Sequence, residues 1–555
     1  MDKRLFPLLV LVLFSFLFLF RSVTNITTIP FHDYDEAHRA EGARNMRLHN
    51  FFLSPLVGNP YSKNAKISFP YLLDETKTVY AQTGRPPLVF NLMAFSSSLF
   101  GDYEWVYRLP SLFLGLAVFE AIVLSVYFLA KKKPNLLALI VALLAIITSY
   151  DWWLSAQMAH LDTAVSLFTA LAVFLLILFA QNKNKFFLAT SGISLALAIL
   201  SKGQPAVIFL FPLIYLLLIK KISLKETFSL GLTTLIVLSP WVISFDRQLG
   251  FGAWFKTYFG GYVASPSSTK IGGGDPTQAA PIFWYLRWWF DTLRPGIYLF
   301  GAFFLYDLVK KRLSWQKIAL LAYIFGGFGL FSYAKSKVWW YVLPIIPAIS
   351  IYLYLAISDY LKERKYGLIN LSLAIFLASL PLFLFRTNTV SLAYGFITTA
   401  LVFLILKLPI TDYLLRITGY ILPVTNYVLR VTCYLLPVAR NLKLEIRNLL
   451  FILVLATSLS LFSLRFPSPS PTHYETKEVG HFFQTLPYPK CLWVEEDFPY
   501  EAILYYSRVG ELDYLDESSS LDPNCQNYLV VSKNLEDFDL VYQSDPVRLY
   551  KIENY

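Results

Sequence analysis

The chain has 555 residues, of which 56% are hydrophobic and 17% aromatic but only 15% charged, a composition that excludes an ordinary soluble protein and calls for repeated apolar runs of bilayer length. Its net charge of +11 does not mark a nucleic-acid partner, because Lys and Arg cluster at the ends of apolar runs, where the positive-inside rule expects them. Three cysteines, Cys433, Cys491 and Cys525, share no metal-ligand spacing, which excludes a zinc ribbon.

Met1-Asp2-Lys3-Arg4 precedes the apolar run Leu5 to Phe20, and Arg21 follows with no small-residue cleavage site. The run therefore reads as an uncleaved first transmembrane helix with a cytoplasmic N-terminus. Residues 22–105 mix charges, prolines and short apolar patches, as expected for a large extracytoplasmic loop with interfacial helices, one of them over Leu88 to Phe95. Spanning candidates follow at about 108–130, 135–150, 162–180, 187–201, 205–220, 226–244, 292–310, 317–334, 339–358, 367–385, 390–406 and 448–463, which with the first makes about thirteen. If every candidate crosses, Lys131-Lys132-Lys133, Lys183 with Lys185, Lys220-Lys221, Lys310-Lys311-Arg312 and Lys362 with Arg364-Lys365 all fall on one side.

The same parity puts residues 22–105, the loop 245–291 and the C-terminal segment on the opposite, extracytoplasmic face. Ser265-Pro266-Ser267-Ser268 and Gly272-Gly273-Gly274 cannot form a helix, so the 245–291 loop reads as a flexible flap or as plain disorder. Residues 408–440 repeat with a period of roughly fourteen: Leu408-Pro409-Ile410, Leu422-Pro423-Val424 and Leu436-Pro437-Val438. Residues 408–447 are read as a cytoplasmic interfacial insertion, with a further spanning pair as the alternative. Pro467, Pro469 and Pro471 then lead from a transmembrane domain, 1–464, into a small α/β soluble domain, 465–555, with strand-like runs Tyr528 to Ser532 and Val547 to Ile552. Cys491 and Cys525 both lie in it and can form a disulfide if the compartment is oxidising.

The chemistry concentrates just after the first helix, in Phe31-His32-Asp33-Tyr34-Asp35-Glu36-Ala37-His38-Arg39. Asp33 and Glu36 have capping-box spacing at a helix start. Asp35 is left without that structural role, and at helical spacing it shares a face with His38, Arg39 and Gly42, so basic neighbours can keep it ionised. His32, Asp35 and His38 could instead take a divalent metal, although their spacing matches no standard site. There is no phosphate loop and no nucleophile elbow. Arg85, Lys202, Lys335 and Lys337 lie on the face where the positive-inside rule disfavours them, which points to a phosphate partner, with snorkelling to headgroups as the plain alternative. Asp162 opens a spanning segment as a cap, or helps to hold the surroundings of Asp35.

Asp35-Glu36 with Ala40, Glu41, Arg44 and Met46 resembles the first-loop motif of GT-C membrane glycosyltransferases, in the group of the protein O-mannosyltransferases and lipid A aminoarabinose transferases. Further matches follow in order: Arg85-Pro86-Pro87-Leu88, Arg108-Leu109-Pro110-Ser111, Met158-Ala159-His160-Leu161-Asp162, Leu200-Ser201-Lys202-Gly203 and Lys335-Ser336-Lys337 with Tyr341-Val342-Leu343-Pro344. The resemblance covers residues 5 to 360 and departs at Arg39, where the family often has an aromatic, at Asn45, where it has an acid, and at Gln157, where it has Arg.

The resemblance implies a multi-pass enzyme of the cell membrane with its active site on the extracytoplasmic face. It would transfer a sugar from a polyprenyl-phosphate donor to a lipid, glycan or protein acceptor, by inverting displacement and with no soluble nucleotide cofactor. Asp35 would be the base with Glu36 beside it in the catalytic pair, and Arg39, Arg85, Asp162, Lys202, Lys335, Lys337 and Tyr341 would bind substrate. The rival reading is a transporter or flippase of lipid-linked sugars, which would place charges at helix midpoints. Here most charges lie at segment ends, Glu120 being the main exception.

Overall fold

The structure, a computed structural model, describes residues 5–31, 34–57, 68–74, 77–82, 85–129, 134–147, 149–255, 284–292, 294–333, 339–363, 370–371, 374–375, 392–407, 471–487, 490–494, 513–514, 526–531, 535, 539–544 and 547–552. Helices dominate: α1 (Leu5–Thr28), α2 (Tyr34–Leu48), α3 (Leu88–Phe100), α4 (Glu104–Leu129), α5 (Leu136–Ile147), α6 (Tyr150–Gln157), α7 (Asp162–Asn182) and α8 (Lys185–Ser201). After a 3-10 turn at Gln204–Phe209 come α9 (Leu210–Leu218), α10 (Leu224–Leu249), α11 (Trp284–Thr292), α12 (Arg294–Val309) and α13 (Trp315–Tyr333). A 3-10 stretch, Trp339–Ile345, leads into α14 (Ile346–Glu363), followed by α15 (Leu392–Lys407) and α16 (Pro471–Thr485).

Among the described residues four helices are long and apolar enough to cross a membrane: Glu104–Leu129, Asp162–Asn182, Leu224–Arg247 and Trp339–Glu363. Leu88–Phe100, Lys185–Ser201, Gln204–Leu218 and Gly296–Val309 are shorter apolar helices. The candidate at 448–463, the repeat at 408–440, the Ser- and Gly-rich parts of the 245–291 loop and Cys525 lie outside the described residues, as does most of 367–385. The basic clusters punctuate the helices as expected. Lys183, Lys220 and Lys311 each follow a helix C-terminus with left-handed φ of 57°, 57° and 53°, so the cation stands at the negative end of the helix dipole.

The described chain forms two compact units. One is built from Met1–Val10, Glu120–Trp153 and Ala279–Pro467. Within it α5 packs on α14 and α12 on α14 and α15. An ionic cluster joins three of its helices: buried Lys317 of α13 lies 2.8 Å from buried Asp307 of α12 and 3.1 Å from the partly exposed Asp359 of α14. Tyr352 of α14 also donates to Asp307, at 2.9 Å.

The other unit is built from Leu11–Phe119, Leu154–Gln278 and Ser468–Tyr555. Its helical part holds the α7–α8 hairpin, with α10 against α8 and α3 against α2. Between α2 and α3, where only interfacial helices were expected, β1 (Leu56–Val57), β2 (Ser68–Asp74) and β3 (Lys77–Gln82) form an antiparallel sheet in the order β1-β3-β2. The β-rich run Lys77-Thr78-Val79-Tyr80 carries the sequence signal for it.

The C-terminal part of this unit carries β4 (Lys490–Val494), β5 (Asp513–Tyr514), β6 (Gln526–Val531), β7 (Asp539–Ser544) and β8 (Val547–Ile552) in the order β5-β4-β6-β8-β7. The described residues of both strand-like runs, 528–531 and 547–552, are therefore in strands. Alternation sorts their side chains: Tyr528, Val530, Val547 and Leu549 pack with Val479 and Phe483 of α16, while Leu529, Val531, Tyr550 and Ile552 form a second cluster with Trp493.

Candidate active site around Asp35

α2 is a polar helix in an apolar protein, and it is buried. Asp35 and Glu36 in the first turn and Arg47 in the last suit the helix dipole. Ala37, Ala40, Ala43 and Met46, spaced by three, form a stripe with no solvent exposure. A Cβ on Gly42 would stand 3.0 Å from Pro55 Cβ, so this position admits the close approach of the chain after α2. The remaining face carries Asp35, Glu36, His38, Arg39, Glu41 and Arg44, all buried. Buried charges must be paired, and the pairing builds the site.

Asp35 Oδ2 accepts from Arg39 Nη2 at 2.6 Å, one helical turn on, and Oδ1 lies 4.0 Å from Arg85 Nη2. Burial pushes the Asp35 carboxyl up. The charge of Arg39, then Arg85, with smaller contributions from His160 and His38, outweighs that and holds it well below the usual carboxylate range. Arg85 keeps 28% of its side chain exposed. It sits in a bend ahead of Pro86, which disfavours helix at the preceding residue, and α3 starts only at Leu88.

Glu36, expected in the catalytic pair, is instead enclosed. Its side chain has 0% exposure, Arg108 of α4 holds both carboxylate oxygens, and the Ala159 N–H donates to Oε1 at 2.9 Å. Arg108 also donates to the carbonyls of Ile26, Ile29 and Pro30, fixing the chain that enters α2. Asp33 and His32 lie outside the described residues.

The turn from Met158 to Leu161 is the second wall. α2 grips the Ala159 residue on both sides, since Glu36 accepts its N–H and Arg39 Nη1 donates to its carbonyl at 3.3 Å. Ser111, three residues after Arg108 on α4, accepts from the His160 N–H at 3.1 Å and donates to the His160 carbonyl at 2.9 Å. Sequence spacing gives Arg108 and Ser111 no role, because their partners are remote in sequence. Gln157, where the family carries Arg, donates to Ser22 and accepts from Asn25 of α1, each at 3.1 Å.

Asp162 holds Lys202 with both oxygens, at 2.7 and 2.8 Å, and lies 3.6 Å from His160 Nδ1. Lys202 follows α8, and Gly203 with φ of +79° makes the sharp turn after it that L residues rarely adopt. Its ammonium is within electrostatic reach of Asp35 and Arg39. Asp35, Arg39, Arg85, Asp162 and Lys202 thus belong to one neighbourhood. Lys335 and Lys337 lie outside the described residues, and Tyr341 stands in the Trp339–Ile345 stretch of the other unit, its ring 6.1 Å from that of Phe331. Among the described residues no group of three His, Cys, Asp or Glu side chains is placed to hold a metal ion.

Residues 84–243 match the family model described as dolichyl-phosphate-mannose-protein mannosyltransferase. That segment contains Arg85, Arg108, Asp162 and Lys202. No curated protein matches the sequence. Among solved structures the fold matches ArnT from Cupriavidus metallidurans, both bound to undecaprenyl phosphate (TM-score 0.65) and in the apo state (0.66), at 16% identity and with 97% of each chain covered. Residues 84–243 are thus similar to that mannosyltransferase family, and the chain as a whole shares the fold of ArnT.

Proposed function

We propose that the chain is an integral-membrane glycosyltransferase that moves a sugar from a polyprenyl-phosphate donor to an acceptor hydroxyl or phosphate. On this reading it spans the cell membrane with about thirteen helices, residues 465–555 are a soluble α/β domain, and the chemistry runs on the extracytoplasmic face. The observation that carries the reading is the Asp35 neighbourhood: one carboxylate held ionised by Arg39 beside an Arg85 that reaches solvent. The ArnT fold, in a protein solved with undecaprenyl phosphate, supports a lipid-phosphate donor.

The reaction is a single displacement. The acceptor oxygen bonds to the anomeric carbon from the face opposite the phosphate, the carbon–oxygen bond to the phosphate breaks, and polyprenyl phosphate leaves with the bonding pair. Asp35 accepts a hydrogen bond from the acceptor hydroxyl and takes its proton. A carboxylate this acidic gains the proton late, once bonding to carbon has made the hydroxyl proton strongly acidic. Arg85 and Lys202 stabilise the charge that collects on the leaving phosphate, and Lys335, Lys337 and Tyr341 join them by resemblance. Asp162 orients Lys202, Arg39 orients Asp35, and Glu36 fixes α2 through Arg108.

The test is transfer from radiolabelled polyprenyl-phosphate sugars in membranes holding wild type or Asp35→Asn at matched protein level. Label should appear in product with wild type and fall by a factor on the order of 10²–10⁴ in the variant. Equal transfer by both would end the assignment of Asp35 as base.

A further inference from the structure

Outside this site, the turns after α7 and α9 open a groove of about 660 Å³ lined by Lys183, Lys220, Leu217, Leu218, Leu224 and Glu226, among others. We propose that it binds one anionic phospholipid of the surrounding bilayer. The two turns carry Lys183, Lys185, Lys220, Lys221 and Lys225 against the single acid Glu226. That acid is already engaged, because its carboxylate accepts from the Ser223 N–H at 2.7 Å in a capping box and from Lys183 Nζ at 3.3 Å. Lys183 is held in place by the Lys221 carbonyl at 2.6 Å and stays 52% exposed. Lys220 is exposed, and among the described residues no carboxylate pairs with it. The groove is therefore a fixed, net-positive wall.

Its other wall is apolar and continues outwards. Leu218, Leu224 and Phe228 are 76%, 79% and 72% exposed on helices that carry the lysines at their ends. Inorganic phosphate would use the lysines and leave the leucines in water, and an acidic peptide would meet a surface at acyl-chain depth. A phospholipid satisfies both walls, with its phosphate at Lys183 and Lys220 and an acyl chain along Leu217, Leu218 and Leu224.

The test is native mass spectrometry of the full chain released from phosphatidylcholine nanodiscs doped with a minor fraction of phosphatidylglycerol. Wild type should retain phosphatidylglycerol enriched over its input ratio. Lys183→Asn and Lys220→Asn should each lower that enrichment about fivefold, with the fold kept, since Asn tolerates the left-handed φ at both positions. Lys362→Asn, at an exposed lysine elsewhere, should leave it unchanged. Retention of the two lipids at their input ratio, or enrichment unchanged in both groove variants, overturns the proposal. So does loss of the lipid from wild type on adding inorganic phosphate, which would make this a soluble-anion site.

Discussion

Arg108 and Glu36, 72 residues apart in sequence, meet through two parallel contacts, Nε to Oε1 at 2.7 Å and Nη2 to Oε2 at 2.9 Å, with both side chains sealed from solvent. The remaining Arg108 donors reach the Ile26 carbonyl in the last turn of α1 and the Ile29 and Pro30 carbonyls of the α1–α2 connection. One guanidinium thus fixes the chain before α2 and the first turn of α2, and Asp35 lies between those two anchors. The two neighbouring acids differ in their surroundings: Glu36 is enclosed by Arg108 and the Ala159 N–H, whereas the proposed base, Asp35, faces Arg39 and the partly exposed Arg85.

Removing Arg108 should therefore unfold the site, whereas removing Asp35 should silence it. Arg108→Ala leaves the buried Glu36 carboxylate without its cation, a change worth about 3–5 kcal/mol. Arg108→Lys should fall between wild type and Ala, because an ammonium cannot reproduce the bidentate fork. Thermal unfolding in detergent followed by tryptophan fluorescence checks the order. An Arg108→Ala protein that melts with wild type would mean the pair holds nothing.

The depressed Asp35 carboxyl sets an expectation for pH. A carboxyl more acidic in the folded chain than its ordinary value of 3.8 stabilises the fold above that value and loses the contribution as pH falls through the lower, folded value. Between about pH 5 and 8 neither stability nor transfer should change on account of Asp35. Thermal unfolding of wild type and Asp35→Asn across that range checks this: a pH-dependent stability change seen in wild type and absent from the variant would show Asp35 itself titrating there.

The parts of this fold that were legible in sequence are those written locally. Apolar runs between basic clusters gave α7, α8, α9 and α10 nearly as they stand, because Lys183 and Lys220-Lys221 end helices whose apolar length is a property of the run itself. Asp35 and Arg39 were legible because four residues is one helical turn. Long-range pairing was not. Capping-box spacing gave Glu36 a local partner, Asp33, yet its carboxylate goes to Arg108 on another helix. Lys317, read inside a spanning run, pairs with Asp307 and Asp359 on two other helices. Neither partner can be found from spacing, since only the packing of separate helices brings them together.

Lys202 and Asp162 should behave as one device. Lys202→Met removes a cation from the proposed phosphate site and should lower kcat by a factor on the order of 10²–10³. Asp162→Asn leaves the ammonium but takes away the two contacts, at 2.7 and 2.8 Å, that aim it. It should lose a similar factor, and the double variant should be little worse than either alone. Transfer kinetics on the three proteins measure the coupling. Losses that multiply in the double variant would mean that Asp162 acts independently of Lys202.

The Asp307–Lys317 pair gives the clearest separation of structure from chemistry, because it belongs to the unit that lacks Asp35. Both side chains are 1% exposed, so Lys317→Met leaves Asp307 with the Tyr352 hydroxyl as its remaining partner in the cluster and should cost about 3–5 kcal/mol. Adding Asp307→Asn to that variant removes the stranded charge and should restore most of the loss. Asp359 keeps 43% of its side chain exposed, so water screens its contact with Lys317, and Asp359→Asn should change stability by no more than about 1 kcal/mol. Thermal unfolding of the four proteins sorts these terms. Should the double variant melt below Lys317→Met, the cluster would be held by hydrogen bonds that Asn cannot replace, rather than by the balance of charge.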